Sequence, residues 1–411
     1  MRAGTSATGR AAARAPATLR LSWASPLPPT RSGVADYAAE ILPELAALAD
    51  VTVVEPPGWQ APHGGGRWLN LPRIAAAATD DGGRLDVLHL GNNPYHLWVA
   101  ERLRRRGGVV VLHDPVLHHL LVEEAAAGGE WERFAVELET AHPGAGRALA
   151  TARGWGFAGR LDPFLLPAHQ PYLCRAIGVI VHSQAAAEML ARALPHLPVA
   201  RVPLAVACLA GGEERREWRQ RLHAAAGELV LLHLGFLTPA KGVEVIMKAL
   251  VALRELRVTC KLVVVGEGSR GDELKRRTRA AGLGTMLVPW GFAAPEELAG
   301  LLAAADLGLV PRYPTAGETS AAALRFLAAG VPVIVSGYRQ FLEFPAGAAL
   351  RVPPGDAGVA DMVRHVAALA ADPEALAAAR AAARAAWEAG GHEPATAAAA
   401  MVAALASFSS A

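Results

Sequence analysis

The chain has 411 residues, 52% of them apolar, and a formal net charge of +2 at neutral pH. That length exceeds one ordinary core and suits two domains of about 150–200 residues each. The near-neutral charge argues against a nucleic-acid binder, and no apolar run approaches the roughly 20 residues of a membrane span. Three scattered cysteines, Cys174, Cys208 and Cys260, fit a reduced cytoplasm rather than a disulfide framework or a cysteine-based zinc site.

Residues 1–18 are rich in Arg, Ala, Thr and Gly and have no apolar stretch long enough for a signal peptide. They read as a disordered leader, with a transit peptide as the alternative. A strand over Leu19–Ala24 leads through the loop SPLPPTRSG to a helix over 34–49 and a strand over Val51–Glu55. Strand, glycine-bearing loop, helix, strand is the opening of a doubly wound sheet. Gly33, where loop meets helix, either makes a turn or lets a ligand approach the backbone. The loop lacks the three-glycine dinucleotide fingerprint, which argues against a nicotinamide cofactor.

The segment Pro56–Arg84 reads as a surface connection. Strands over Asp86–Gly91 and Val109–His113 flank a helix over Tyr95–Arg106. Arg102, Arg104, Arg105 and Arg106 close that helix, where cations favour the dipole. His113–Asp114 ends a strand, the place where doubly wound sheets put ligands. His113 can hydrogen-bond a ligand oxygen there or be satisfied by backbone. His118 and His119 follow, but no carboxylate or cysteine set completes a metal shell. Helices are expected over 130–150 and 165–177. A strand over Val179–His182 and a helix Gln184–Leu194 capped by Ser183 come next, then a strand over Val199–Pro203.

After a charged connector, 208–227, the same grammar restarts. Leu229–Gly235 reads as a strand, Phe236–Gly242 (FLTPAKG) as a loop, Val243–Leu253 as a helix and Thr259–Gly266 as a strand. Lys241 is the one cation at the mouth of that loop, suited to a phosphate beside free helix amides. Gly266–Ser269 opens another helix. Thr285–Val288 and Trp290–Phe292 lead to the helix Pro295–Ala304.

The stretch Asp306–Gly337 then combines a buried strand, a polar turn over Thr315–Ser320 and a helix from near Glu318 to Gly330. Free amides of a first helical turn, such as those of Thr319 and Ser320, make an anion site above a sheet. A strand at Ala348–Val352 and helices over Val359–Ala371, Pro373–Ala389 and His392–Phe408 finish the chain.

The fold class is therefore α/β: two Rossmann-like doubly wound domains facing each other across a cleft. The expected divisions are a leader 1–18, an N-terminal domain 19–207, a linker 208–227, a C-terminal domain 228–388 and a last helix within 389–411 packing back on the first domain.

At LGFLTPAKGVEVIMKAL, VVVGEGS and PRYPTAGETSAAALRFLAAGVPVIVSG the chain resembles the family 4 glycosyltransferases of GT-B architecture. SPLPPTRSGVADYAAEILPEL and VVVLHDPVLHHL look like the same family's N-terminal domain. The resemblance covers nearly everything from Leu19 onward. It implies a nucleotide-diphosphate sugar as donor, held mainly by the C-terminal domain. It implies a carbohydrate, lipid-linked or small-molecule hydroxyl acceptor on the N-terminal one, and hexose transfer with retention and without a bound metal or cofactor. No nucleic-acid partner is expected. The place implied is the cytoplasm, with peripheral contact at the inner membrane face left open. Two rivals on the same fold are a non-catalytic nucleotide-sugar-binding partner protein and a nucleotide-sugar epimerase.

The resemblance carries over residue by residue. Lys241 matches the lysine on the donor diphosphate, Gly33 and Gly235 the glycine positions near the phosphates, and His113 a histidine near the transferring sugar. The family's arginine after the glycine is Phe236 here, and Arg312 is the candidate replacement. The family's two glutamates, about two helical turns apart, fall on Gly317 and Arg325. Glu318, one residue late, is left to orient the sugar. Arg325 has only donors and cannot accept bonds from ribose hydroxyls. His113, Glu318 and Lys241 are the catalytic candidates, with Gly33, Gly235, Arg312, Thr319, Ser320 and Arg325 beside them at the donor.

Overall fold

The computed structural model describes residues 19–62, 66–77, 82–157, 159, 161–209, 215–268, 276, 278–284 and 286–409. The expected leader, parts of the segment 56–84, the middle of the connector, Ser269 and Thr285 lie outside these residues.

Two parallel sheets form the frame. The first contains β1 (Arg20–Ala24), β2 (Asp50–Glu55), β3 (Arg73–Ala75), β4 (Leu85–Leu90), β5 (Gly108–Leu112), β6 (Ala176–Val181) and β7 (Val199–Arg201). Their order is β3-β2-β1-β4-β5-β6-β7. The second contains β8 (Leu229–Leu234), β9 (Cys260–Val265), β10 (Leu287–Gly291), β11 (Leu307–Val310), β12 (Val333–Ser336) and β13 (Ala349–Val352), in the order β10-β9-β8-β11-β12-β13. Helices cover both faces, so the central strands are apolar without alternation. Val109, Val110 and Val111 are each fully buried, a contribution of about 1.5–3 kcal/mol apiece. In each sheet the strand order reverses beside its first strand, at β1/β4 and at β8/β11. Crevices for ligands open there, outside the carboxyl ends.

Several expectations are corrected. The single helix over 130–150 is two, Trp131–Ala141 and Ala145–Gly154, because Pro143–Gly144 interrupts it and Gly144 takes φ +76°. The helix over 165–177 is only Gln170–Leu173, after a short turn Asp162–Leu165. Pro167 and Pro171 deny it backbone donors, and Ala176 already belongs to β6. Within the surface segment, Arg73–Ala75 adds an edge strand beside β2. The connector contains a helix, Arg215–Arg221. The helix expected from Glu318 begins at Ala321, after Ser320 accepts from the Ala323 amide at 3.2 Å.

The arginines ending the helix Leu97–Arg106 are ion-paired structure. Arg102 is buried and donates twice to Asp86 Oδ1, at 3.1 and 2.8 Å, while Arg106 donates to Asp86 Oδ2 at 2.7 Å. Arg104 grips Glu124 through both of its terminal nitrogens. Ser183 caps the helix Gln184–Ala193 by accepting from the Ala186 amide.

The last helix, Pro394–Ser409, lies against the helix Gly33–Ala46 and β6. Its buried face is Ala397, Ala398, Met401 and Leu405. Phe408 rests on Gly178, where an added Cβ would stand 2.6 Å from the ring. The Val206 amide on His392 O, and the Trp387 indole N–H on Val206 O at 3.1 Å, guide the chain back to the first half.

Candidate functional site

The two crevices face each other, and chain segments from both halves touch across the gap. The Val116 amide donates to Ala316 O at 3.1 Å, so the loop after β5 lies on the turn after β11. Gly317, at φ +90°, fits beneath Pro115; a Cβ there would come within 3.1 Å of the proline ring. Arg31, in the loop after β1, pairs with Glu267 after β9 at 2.6 Å and covers the Phe292 ring. Glu343 of the second half accepts from the Gln184 and Ala185 amides at 2.9 and 2.8 Å, occupying the N-terminus of that helix.

On the C-terminal side, β8 ends at Gly235, φ +126°, and the loop closes on itself with Lys241 N–H on Thr238 O. The Lys241 ammonium hangs over Gly235, 3.6 Å from where a Cβ would stand. It has no carboxylate partner among the described residues. Gly242, φ +73°, packs against Pro311 so closely that a Cβ would meet the Pro311 carbonyl at 2.1 Å. The Tyr313 amide bonds Ala240 O at 2.8 Å, so the Lys241 loop and the β11 exit form one unit.

The polar turn is built from its own side chains. Thr315 Oγ1 donates to Glu318 Oε2 at 2.6 Å and accepts from the Gly317 amide at 3.1 Å. Gln340 clamps the turn from the other side, donating to Thr315 Oγ1 at 2.8 Å and to Glu318 O at 2.9 Å. Arg312 is buried and ion-paired with Glu318, and its Nε finds no acceptor among the described residues. Burial lowers its pKa to about 10 while the charge of Asp114, across the cleft, holds it up. Asp114 in turn accepts from the Asn92 amide at 2.7 Å, and burial raises its pKa. The Thr319 and Ser320 amides make no hydrogen bond among the described residues, and Thr319 Oγ1 is also unpartnered. These two amides lie immediately before the helix Ala321–Ala328, on the N-terminal side where its dipole favours an anion.

On the N-terminal side, Ser32 caps the helix Gly33–Ala46, accepting from the Ala35 amide at 3.1 Å. Among the described residues the Gly33 and Val34 amides stay open, and none lies within 4 Å of a Cβ placed on Gly33. His113 follows β5 as a half-buried side chain. Its Nε2 lies 3.0 Å from His89 Nδ1. Tyr37 meets its edge at 5.2 Å between centroids, and His182 lies 5.1 Å away. Burial, with the neighbouring imidazoles, pushes the His113 and His89 pKa values well down, so both rings are neutral.

The fold brings Gly33, His113, Gly235, Lys241, Arg312, Glu318, Thr319 and Ser320 to the carboxyl ends at the two crevices. Arg325 is elsewhere. Its Nη2 pairs with Glu40 Oε1 at 2.5 Å and its Nη1 donates to Ala207 O at 2.9 Å. The guanidinium joins the two halves instead of facing a ligand, because its position on the helix Ala321–Ala328 turns toward the helix Gly33–Ala46. His118 is buried against Phe134, and His119 pairs with Glu123. Among the described residues no group of three or more His, Cys, Asp or Glu could hold a metal ion.

Sequence reasoning missed His89, Tyr37, Gln340 and Arg31. His89 carried one faint signal, an imidazole inside the apolar strand DVLHLG. Gln340, on the short turn Arg339–Glu343, carried none.

Comparison with known proteins supplies the family. Residues 184–386 match the family described as glycosyl transferases group 1. HepE of Anabaena, solved in complex with UDP and glucose, superposes with a TM-score of 0.64 at 16% identity, covering 95% of this chain and 100% of that one. Sucrose-phosphate synthase from Thermosynechococcus elongatus gives 0.61 at 18% identity over 90% and 96% of the two chains. These likenesses concern the fold. A GDP-mannose-dependent alpha-(1-6)-phosphatidylinositol dimannoside mannosyltransferase of Mycobacterium tuberculosis is 38% identical over 138 residues, 33% of this chain and 34% of that protein. The lipopolysaccharide 1,2-N-acetylglucosaminetransferase of Salmonella typhimurium is 32% identical over 133 residues, 31% and 35% of the two. The chain thus spans about a third of the length of the curated relatives it matches. Two parallel sheets and the solved neighbours agree on a GT-B fold, and residues 184–386 of that fold match the glycosyl transferases group 1.

Proposed function

We propose that the protein transfers a hexose from a nucleotide-diphosphate sugar to a hydroxyl acceptor. The observation that carries this reading is the opposition, across one cleft, of phosphate-type groups without partners among the described residues. The Lys241 ammonium and the open Thr319 and Ser320 amides lie on one side, and the open Gly33 and Val34 amides lie on the other.

In this reading the diphosphate sits between Lys241, Arg312 and the open amides, where charge develops as the bond from anomeric carbon to phosphate oxygen breaks. Fixed cations and dipoles aimed at that charge lower the barrier. The acceptor hydroxyl attacks the anomeric carbon from the leaving-group face. Its proton passes to the departing phosphate oxygen, and the nucleoside diphosphate leaves. That course gives retention. Lys241 and Arg312 supply positive charge at the diphosphate, which supports metal-independent transfer. Glu318, aligned by Thr315 and Arg312, orients sugar hydroxyls. With Arg325 committed to Glu40, the ribose is held by backbone or by other side chains. The segments joined across the cleft exclude water and limit hydrolysis.

The relatives' names support this choice of substrates. HepE was solved with UDP, and the Mycobacterium enzyme's name specifies GDP-mannose and a phosphatidylinositol acceptor. We place the reaction in the cytoplasm, with a lipid-linked acceptor presented at the membrane face. No described helix is long and apolar enough to cross a membrane. A thermal-shift series with UDP-, GDP- and ADP-sugars tests the donor, since a ligand that binds only the native state raises its stability. Incubation of the stabilising donor with and without acceptors then separates the readings. Transfer requires an acceptor, an epimerase acts on donor alone, and a binding protein turns over neither. No stabilisation by any nucleotide sugar would overturn the proposal.

A further inference from the structure

Beside His113 lies a set of imidazoles with a common pattern of hydrogen bonding. His96 Nδ1 donates to His89 O at 2.8 Å and His182 Nδ1 donates to Val202 O at 3.0 Å. In both rings Nε2 is buried and has no partner among the described residues. A backbone carbonyl only accepts, so both rings carry their proton on Nδ1 and leave Nε2 as a bare lone pair. Burial keeps both neutral, with pKa values near 4.

His89 sits among them at the end of β4, in contact with the Trp23 ring at 3.9 Å between centroids. Its Nδ1 faces His113 Nε2 at 3.0 Å, and its Nε2 is buried with no partner among the described residues. One proton must lie between the two rings. If His113 gave it, the neutral His89 would carry its own proton on Nε2, a buried N–H with no acceptor. If His89 gives it, Nε2 is left as a lone pair, the state found in His96 and His182. Orphaned buried N–H groups are the rarer and costlier case. His113 makes no other side-chain hydrogen bond among the described residues and is only half-buried. Its remaining nitrogen is therefore the one within reach of the cleft.

We infer that His89 is a positioning residue: its Nδ1–H fixes His113 as the Nδ1–H tautomer, so that His113 faces the cleft as a neutral hydrogen-bond donor to an oxygen of the bound sugar nucleotide. The last clause rests on the transferase reading; the tautomer does not. A neutral donor here selects an oxygen acceptor and cannot serve as a proton-abstracting base at this nitrogen.

The test uses the full chain with 15N-labelled histidine. The wild-type spectrum is expected to show His113 with a protonated Nδ1 and a bare Nε2 across pH 6–8, without any ligand. His113 protonated on Nε2, or charged in that range, overturns the inference. Two variants extend it. His89→Asn places an amide N–H where the His89 Nδ1–H stood and is expected to keep the His113 tautomer. His89→Leu removes the donor and is expected to release it; an unchanged His113 pattern in His89→Leu also overturns the inference. If transfer is found, His89→Leu lowers kcat about tenfold, as loss of one such hydrogen bond would, and His89→Asn restores most of it. If no nucleotide sugar binds while the tautomer is as stated, the transferase reading fails and the positioning of His113 stands.

Discussion

Arg325 Nη2 lies 2.5 Å from Glu40 Oε1, so the helix after the polar turn is pinned to the first helix of the chain. Glu40 Oε2 accepts from the Ala207 amide at 2.7 Å and Arg325 Nη1 donates to Ala207 O, closing a small ring of bonds across the halves. Both side chains are largely buried, 12% and 18% exposed. Removing one partner leaves the other charge uncompensated. Arg325→Ala is expected to cost about 2–3 kcal/mol, below the full penalty for a deeply buried pair. Arg325→Ala/Glu40→Ala together should cost less than the sum of the singles, checked by a urea double-mutant cycle. Strict additivity would mean that the pair does not hold the halves.

The same ring sets a pH dependence through Asp36. Desolvation raises its pKa to about 6, opposed by Arg325 and aided by Glu40. A carboxyl whose folded pKa lies above its unfolded value favours the native state at low pH. That contribution is present below pH 4 and is lost as pH rises through 6. Asp36 is surface-accessible, so solvent screening keeps the effect modest. Asp36→Asn should flatten the fall in urea midpoint between pH 4 and pH 7, and Arg325→Ala should move that fall to higher pH.

The sheets were legible because their strands are nearly unbroken runs of Val, Leu and Ile between glycine-bearing loops, as in VVVLH and LVLLHLG. Gly235 and His113 stood out because each ends such a run, and Lys241 because it is the one cation in the loop that follows. What was hidden depends on contacts far apart in sequence. Arg325 aligned with a ligand position by counting, yet its partner Glu40 is 285 residues away. Gln340 clamps the polar turn across 25 residues and lies in an unremarkable loop. The proline-interrupted region 165–177 reads as a helix from its apolar content, despite its Pro167 and Pro171.

Asp306 anchors the far side of the second sheet. Its carboxylate accepts from Arg219 at 2.8 Å and from the Val230 amide at 2.8 Å, and pairs with Arg215. Arg215, Arg219 and Arg380 also donate to the Ala303, Ala304 and Ala305 carbonyls, which end the helix Pro295–Ala304. Asp306→Ala would leave three guanidiniums crowded around an apolar methyl and a buried amide without an acceptor. The expected loss is about 3–5 kcal/mol, read as a lower urea midpoint, with Asp306→Asn intermediate. A loss under about 1 kcal/mol would reduce the cluster to solvated charges.

Gln340 tests whether the polar turn must be rigid to bind. Gln340→Leu removes both donors to the turn while filling similar volume. It should cost about 1–2 kcal/mol of stability and loosen Glu318 and the adjoining amides. Donor affinity, followed by thermal shift at rising nucleotide-sugar concentration, should fall about tenfold. Unchanged affinity with reduced stability would confine Gln340 to folding.

Lys241 and Arg312 separate binding from architecture. Lys241 has no carboxylate partner among the described residues and hangs over Gly235 at the loop mouth. No described residue loses a partner when it is truncated, so Lys241→Ala should leave stability within about 0.5 kcal/mol. Its loss should still raise donor KM and lower kcat/KM by at least about tenfold, because a cation on a diphosphate is a charge-assisted contact. Arg312 is buried, paired with Glu318 and held charged by Asp114. Arg312→Ala strands two carboxylates and should lower both stability and turnover. If Lys241→Ala leaves kinetics with the correct donor unchanged, Lys241 leaves the site and the diphosphate is held by Arg312 and the open amides alone.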